Sequence, residues 1–582
     1  MATKNKNDIK YYMDLAERML KEDGERDRAF EEYDRMFHSD FELPKEVNDL
    51  QWIRTEVDTS PHDAVSAGTR VLSTLDPGIT VQPTRKNLAT KELANSWERN
   101  LLWQLKSADR RRQAGIVRDV VKSSLLYDEV VINIVDLDWQ IKTMQTFKAD
   151  TKRMEAASRY GRWLINTYNP RDVHVRYSNM MPEAVLLCTV KPAQQVIDEW
   201  GDLAKGLEPL TNQDMSDVTL YDYMDYDMRC VWATPKGGDK QGETVIVKPQ
   251  KHDLPFLPWV AMVGGSTLEH KERYKRQPLL FSIYNSGQWK TSCIVKSLYT
   301  SEVIFQSAAA RMKEEGPIEE TTTEVDYGEP GRLMKVTPGN VATPLQPQTI
   351  DQALLAIDDR IGSAMERSTV SRILQGADIP SGTAFATLNL ATQTAVGSLK
   401  PPKSLSEKAL AEMFTVMLLW VEFTKQPLYA YDRDRKSATY GAEYVIDPAE
   451  IEPQAIYIEV ELKPDVPTDR QQRANTGAMM IQTMDYSKER ALEDVGVTDP
   501  QEVMRQRIFE KFLENNINQI MAMSQIQMQQ ALQAGAQAGG VPGGEGFNPA
   551  EGGQPPAMAN PEMTREMATG MDRMGMEVAE GV

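Results

Sequence analysis

The chain has 582 residues, 41% hydrophobic and 26% charged, a balance that permits a sizeable core and excludes a disordered chain. By the usual length prior this is about four domain-sized units, or fewer if one is elongated. A formal net charge of −19 argues against a protein that grips nucleic acid through phosphate contacts, which need clustered Lys and Arg, but an acidic wall would let DNA slide past without sticking. Cys188, Cys230 and Cys293 lie far apart without a CxxC pair, which predicts buried free thiols in a reducing compartment. The opening residues carry no apolar stretch of the kind a secretory signal needs. The most apolar run, 413–421, is far shorter than the roughly 20 residues of a membrane span.

Residues 1 to about 60 predict charged amphipathic helix broken by turns. A helix over 63–75 stops at Asp76-Pro77-Gly78, where Pro and Gly forbid continuation, and a short strand over 79–81 follows. β-Branched runs at 130–135, 185–190 and 244–247 predict further strands, so the chain up to 262 is an α/β or α+β unit. From Leu280 the apolar or small positions are Leu280, Ile283, Gly287, Thr291, Ile294, Leu298, Ser301, Phe305, Ala308 and Met312. Steps of three and four predict one long helix, about 50 Å at 1.5 Å per residue, stopped by Gly316-Pro317.

A Thr-, Pro- and Gly-rich segment with short β pieces comes next. A second helix is then predicted from Thr349, boxed by Gln352, with a seam of Leu354, Ile357, Ile361, Met365, Thr369 and Ile373 and a stop at Gly376. Small residues recur on both helices (Gly287, Ser301, Ala308, Ala309, Ala310, Gly362, Ser363, Ala364), as close helix approach requires. Two long helices thus flank a small β module: a stalk with a tip, or a helical hairpin inside one globule. A Gly-bounded loop over 375–382 follows, then helical residues interrupted at Pro401-Pro402 and a helix capped by Ser404 and Glu407. The alternation over 456–462 puts Ile456, Ile458, Val460 and Leu462 on one face of a strand that should rejoin the first unit. Helix, with a start at Asp499-Pro500, runs to about 533, and the Gly-, Met- and Gln-rich remainder predicts disorder.

No catalytic constellation is complete. The glycines of Gly237 and Gly242 are spaced like a phosphate-binding loop, but Glu243 stands where Lys is needed and a strand follows, so a hairpin turn is predicted. Asp136, Asp138 and Lys142 suggest a metal-dependent nuclease core, yet Gln140 takes the place of its second acid, and a solvated strand end is the simpler reading. Asp222, Asp225 and Asp227 lack the Gly and Glu of a calcium loop. His38, His62, His174, His252 and His270 show no metal or hydrolase spacing. Arg110-Arg111-Arg112 and the 270–276 cluster predict solvated faces or intersubunit ion pairs.

The order of elements resembles the wing, stem, clip, stem, tunnel loop, wing and crown of tailed-bacteriophage portal proteins. Local stretches carry it: Asp63 through the Asp76-Pro77-Gly78 turn to Pro83, Leu254-Pro255-Phe256-Leu257-Pro258-Trp259 as lead-in to the first stem helix, Gly331 to Gly339 as clip strand and turn, and Ser487 to Gly496 with Asp499-Pro500-Gln501-Glu502 beyond the wing. The resemblance covers about four-fifths of the chain; the Gly/Met-rich tail departs from it. It implies an α+β, mainly helical subunit with an α/β wing, two long antiparallel stem helices, a small β clip and a helical crown. The implied divisions are 1–262 arm and wing, 263–313 first stem helix, 314–348 clip, 349–375 second stem helix, 376–383 tunnel loop, 384–467 kinked wing helix and returning strand, 468–533 crown and 534–582 tail.

The same resemblance implies a homo-oligomeric ring, usually of about twelve subunits, at one capsid vertex of the virion. Double-stranded DNA would be packaged and ejected through it. Partners would be the major capsid protein and scaffold, the terminase, and head-completion adaptor or tail proteins, with no membrane, cofactor, metal or catalysis of its own. Gln375, Gly376, Ala377, Asp378, Ile379, Pro380, Ser381 and Gly382 would form the tunnel loop. Lys271, Arg273, Lys275 and Arg276 would be candidate DNA-phosphate contacts, and Arg332, Leu333, Met334, Lys335 and Val336 the docking clip. Glu302, Glu314, Glu315, Asp351, Asp358 and Asp359 are acidic candidates for a lumen lining. The rival readings are a metal-dependent nuclease with a helical hairpin insertion and another virion ring protein, such as a collar or baseplate component.

Overall fold

A computed structural model describes residues 8–45, 53–82, 88–110, 112, 115–146, 151–159, 161–178, 181–210, 217–235, 243–265, 276–307, 312–314, 334–336, 352–370, 396–431, 441–451, 457–464 and scattered helical positions between 478 and 527. The chain divides into two units, Met1–Glu502 and Val503–Val582. The fold is mixed α+β.

The charged helices expected near the start are α1 (Ile9–Glu22), whose first turn is capped by Asp8, and α2 (Gly24–Phe37). Next come α3 (Ser60–Ser73) and β1 (Gly78–Gln82), joined through the Asp-Pro-Gly turn, then α4 (Leu88–Asp109) and α5 (Ile116–Tyr127). Strand β2 (Glu129–Asp136) is buried along its whole length, so its β-branched run has no polar face to alternate with. After α6 (Leu137–Thr146) and α7 (Lys152–Ser158) come β3 (Trp163–Tyr168), β4 (Val173–Ser178) and β5 (Met181–Pro192). The series closes with α8 (Ala193–Trp200), β6 (Asp217–Asp225), β7 (Met228–Pro235), β8 (Thr244–Lys251) and β9 (Trp259–Val263). Strands β3-β2-β9 form one sheet, and β4 to β8 form a five-stranded antiparallel meander. Since β7 and β8 are antiparallel neighbours, the Gly237–Gly242 segment joins a hairpin, as its sequence implied, although the segment itself lies outside the described residues.

The middle of the chain differs from its periodicity. Helix α9 (Phe281–Ser286) ends where Gly287 takes a left-handed conformation (φ +68°), and α10 (Gln288–Ser307) starts afresh. Gly287 is therefore a helix terminator and not a small face residue, because without a Cβ it reaches that region at little cost. The restart changes which face is buried. Trp289, Ser292, Cys293, Ser297 and Ser301 are buried, Thr291 is exposed, and Ile294 and Leu298 stay partly exposed. The predicted helix past Met312 is also corrected: Met312 belongs to β10 (Met312–Glu314), which pairs in parallel with β11 (Met334–Val336). Strand pairing here overrides the helical period.

Helix α11 (Gln352–Ser368) packs on α10 and stops short of Gly376, with Met365 and Thr369 buried and Ile357 exposed; Thr349 and Ile373 lie outside the described residues. Helix α12 (Lys400–Thr424) is the second correction. Pro401 and Pro402 do not interrupt it but occupy its first turn, where an N–H would have no intrahelical acceptor, so Ser404 is not its cap. Instead, Glu407 accepts the Leu462 N–H at 2.8 Å.

Helix α12 is the centre of the main core. It packs on α5, β2 and β9, and Trp420, fully buried, donates its indole N–H to the Ile134 carbonyl at 2.8 Å. The β12 (Leu428–Tyr431) and β13 (Glu443–Ile446) hairpin is held on α4 by Asn100, whose amide donates to the Leu428 and Tyr444 carbonyls at 2.8 Å each. Strand β14 (Tyr457–Glu461) returns as expected, antiparallel to β1, with Ile458 and Val460 buried and Tyr457, Glu459 and Glu461 exposed. It forms a separate two-stranded ladder there, not a further strand of the larger sheets. In the second unit, residues 503–512 are helical with Ile508, Phe509 and Phe512 exposed. The 534–582 tail lies outside the described residues.

Candidate functional site

Only some of the residues that the sequence assigned to function are among the described residues. The tunnel-loop residues 375–382, together with Lys271, Arg273, Lys275, Arg332 and Leu333, lie outside the described residues, as do Glu315 and Asp351. Met334, Lys335 and Val336 form β11, and Glu314 ends β10. Glu302 lies on α10, Asp358 and Asp359 on α11; Asp358 Oδ1 is 3.4 Å from Ser292 Oγ.

The nuclease constellation does not form a shared strand face. Asp136 ends β2, but Asp138 belongs to helix α6. Asp136 is no solvated strand end: it is fully buried, pairs with Arg162 at 2.6 Å, and accepts the N–H groups of Asp138 and Trp139 at 3.0 and 3.3 Å. It acts as a helix cap. Asp222 pairs with Arg229 at 2.7 Å, while Asp225 turns the β6–β7 hairpin by accepting from Asp227 and Met228 N–H. Arg112, in the first basic cluster, is tied within the subunit to Asp119 and Thr167. Among the described residues no group of three or more His, Cys, Asp or Glu is placed to hold a metal ion. The three cysteines are free, and burial pushes their thiols up, Cys188 to about 12 and Cys293 to about 11, which disfavours a nucleophilic thiolate.

The structure does assemble a site at the root of the helix pair, where the α/β body meets α9 and α10. Its first part is a buried ion network. Arg276, expected to touch DNA phosphates, is instead 8% exposed and bonds Glu129 at 2.6 Å. Burial alone would lower its pKa, but the Glu129 carboxylate more than offsets this and holds it above the usual arginine value. Arg26 of α2 adds a second guanidinium, 3.7 Å from Glu129, and both arginines lie over the Phe30 ring. Arg26 also meets Asp23 at 3.2 Å, donates to the Val173 carbonyl, and lies 3.0 Å from His174 Nδ1, itself 2.8 Å from Asp23. Burial pushes the Asp23 carboxyl up, yet the His174 hydrogen bond and Arg26 together bring it below the usual range.

Beside this network, Asp128 clamps the chain on both sides of residues 265–275. It is left-handed (φ +54°), a conformation Asp tolerates. Its carbonyl accepts Gly264 N–H and its carboxylate accepts Gln277 N–H, both at 2.9 Å. A side chain at Gly264 would place Cβ 2.0 Å from the Asp128 carboxylate, so only glycine fits.

The Asp128 carboxyl is pushed up to about 6, chiefly by burial, with the Gln277 N–H and Arg276 opposing. The native state therefore holds a proton that the unfolded chain has released between about pH 4 and 6. Its contribution of ~3 kcal/mol is complete below pH ~4 and lost as pH rises through ~6. Asp128→Asn should remove that slope and leave the variant more stable than wild type at pH 8, measured by urea unfolding across pH. An unchanged slope would show that Asp128 does not titrate there.

The second part is a strap. The N–H groups of Arg54, Glu56 and Asp58 donate to Ser301 Oγ (2.8 Å), Ser297 Oγ (2.8 Å) and Cys293 Sγ (3.4 Å). Every second strap residue thus meets every fourth helix residue, in the opposite direction. Four helical residues rise about 6 Å, and two near-extended residues span roughly the same distance, so the two periods match. Asp58 anchors one end, taking hydrogen bonds from Ser292 Oγ (2.6 Å) and from Ser60 N–H and Oγ, plus Lys296 at 3.0 Å. Trp289 donates to the Asp58 carbonyl at 2.9 Å. The Cys293-x3-Ser297-x3-Ser301 spacing was visible in the sequence. A stripe of apolar or small residues does not reveal this role, because backbone donors select small side chains with an acceptor atom.

No family model matches the chain, and no curated protein matches it either. Among the described residues no helix is long and apolar enough to cross a membrane.

Proposed function

We propose that this chain is a subunit of a ring-shaped conduit for double-stranded DNA of the portal kind, in which the α10–α11 pair packs side by side with the pairs of neighbouring copies. The observation that carries the reading is an asymmetry of that pair. One face of α10 is fastened to its own subunit by the strap and by Asp58, while Ile294 and Leu298 beside that face stay partly exposed and Val303 on α10 and Ile357 on α11 are exposed. A helix fastened along one face to its own subunit, with uncovered apolar positions elsewhere on the pair, suits lateral packing between copies better than a solvated hairpin. The sequence order and the net charge of −19 agree with a conduit whose wall does not hold DNA.

Native mass spectrometry and negative-stain imaging of the full chain test this. Rings with a central hole are expected, and Ile294→Asp with Leu298→Asp should shift most of the protein to smaller species while the subunit stays folded. A stable monomer or dimer of the unaltered chain at high concentration would overturn the proposal.

A further inference from the structure

A cleft of about 680 Å³ lies between α3 and α5, away from the root of the helix pair. Its rims are two helical ridges. On α3 the residues His62, Ser66 and Arg70 follow one another at steps of four, and on α5 Arg118 and Lys122 do the same. Each step is one helical turn, about 6 Å, so the basic groups face the cleft in two rows.

Three features show that this is more than a solvated charged face. First, Arg118 sits in the first turn of α5, where the helix dipole disfavours a cation. The neighbouring acid, Asp119, points elsewhere, to Arg112 and Thr167. Among the described residues no carboxylate pairs with Arg118 or Lys122. Second, Phe37 pre-positions Lys122 and the His62 ring. Lys122 Nζ lies 4.4 Å above its ring, His62 stacks on it at 4.7 Å, and His62 Nδ1 donates to the Phe37 carbonyl at 2.9 Å. Third, the hydroxyls of Thr69, Ser73 and Thr74 are already committed to backbone carbonyls one turn back. The cleft therefore presents charge, with little hydrogen-bond pattern to read. Among the described residues Asp63 is the lone carboxylate in the lining.

We infer that this cleft binds the phosphate backbone of a nucleic acid strand, independently of base sequence. An acidic protein segment fits less well. Stable protein interfaces rely on apolar or aromatic anchors, and the apolar side chains lining this cleft, Ala67 and Phe37, are themselves buried at 6% and 7% exposure. Phosphate contacts need only clustered cations with aligned donors. In a chain of net charge −19, such contacts would be local and weakened strongly by salt. The inference does not depend on the ring: it concerns one subunit's surface.

The test is fluorescence anisotropy of the full chain with a mixed-sequence 25-nucleotide single strand, the matching duplex, and a polyglutamate peptide, over about 50 to 200 mM salt. Binding of either nucleic acid form is expected, with the preferred form identifying the source of the phosphates. Arg118→Ala with Lys122→Ala should weaken it about tenfold or more and lower the slope of log affinity against log salt by about two. Arg118→Glu should abolish it, while thermal unfolding and particle mass stay unchanged, which separates this outcome from any failure of the ring. Unaltered affinity and slope in the double variant would overturn the inference, as would binding of polyglutamate alone.

Discussion

Replacing Arg276 by Ala is expected to destabilise the first unit by about 3–5 kcal/mol, measured by urea or thermal unfolding. The reason is the state of Glu129. Its side chain is fully buried, and its closest cationic partner is Arg276 at 2.6 Å, with Arg26 farther away at 3.7 Å. Removing the guanidinium leaves the buried Glu129 side chain with only that longer cationic contact. Glu129→Ala should cost a similar amount by stranding Arg276. Arg276→Met combined with Glu129→Leu should recover most of the loss, since removing both charges also removes the cost of burying them. An exposed phosphate-binding arginine would instead change stability by under about 1 kcal/mol, and that result would remove the network from the fold's supports.

The second large effect is expected at the strap. Asp58→Ala should cost about 3 kcal/mol, because it deprives Lys296 and the Ser60 and Ser292 hydroxyls of one buried acceptor. It should also raise hydrogen exchange at the Glu56 and Asp58 amides before global unfolding, since they are held only by helix side chains. The linkage has the opposite sign to that of Asp128. Burial pushes the Asp58 carboxyl up, but the Ser292 and Ser60 hydrogen bonds and Lys296 outweigh it, leaving the carboxyl below its usual range. Its contribution is therefore present above pH ~4 and lost as pH falls through the lowered folded value. Asp23 behaves alike. Asp58→Ala should accordingly flatten the acid limb of the stability profile; an unaltered acid limb would show that the carboxylate is not held ionised by these partners.

Several strands and one helix stop were the legible part of the chain. The 130–135 run, the Asp76-Pro77-Gly78 turn and the 457–461 alternation each specify a local conformation through residues adjacent in sequence, and each appears in place. At two other places local signals compete. Gly287 was compatible with a helix interior and with a terminator, and Pro401-Pro402 with an interruption and with a first turn. Local pattern alone does not rank such options, because the deciding energy comes from contacts distant in sequence.

The same holds for charge. Composition and short spacings determined that this chain is acidic, folded and of mixed α and β character, since those properties need only residue types and local pattern. Tertiary structure alone decided which charges are available. Arg276 and Asp136 look exposed in sequence, yet Glu129 and Arg162, brought from 147 and 26 residues away, take them into the core. Arg118 and Lys122, unremarked in the sequence, are left facing a cleft because Asp119 is turned to Arg112. A charge is free or spent according to its partner, and partners are chosen by the packing of whole elements, not by neighbours along the chain.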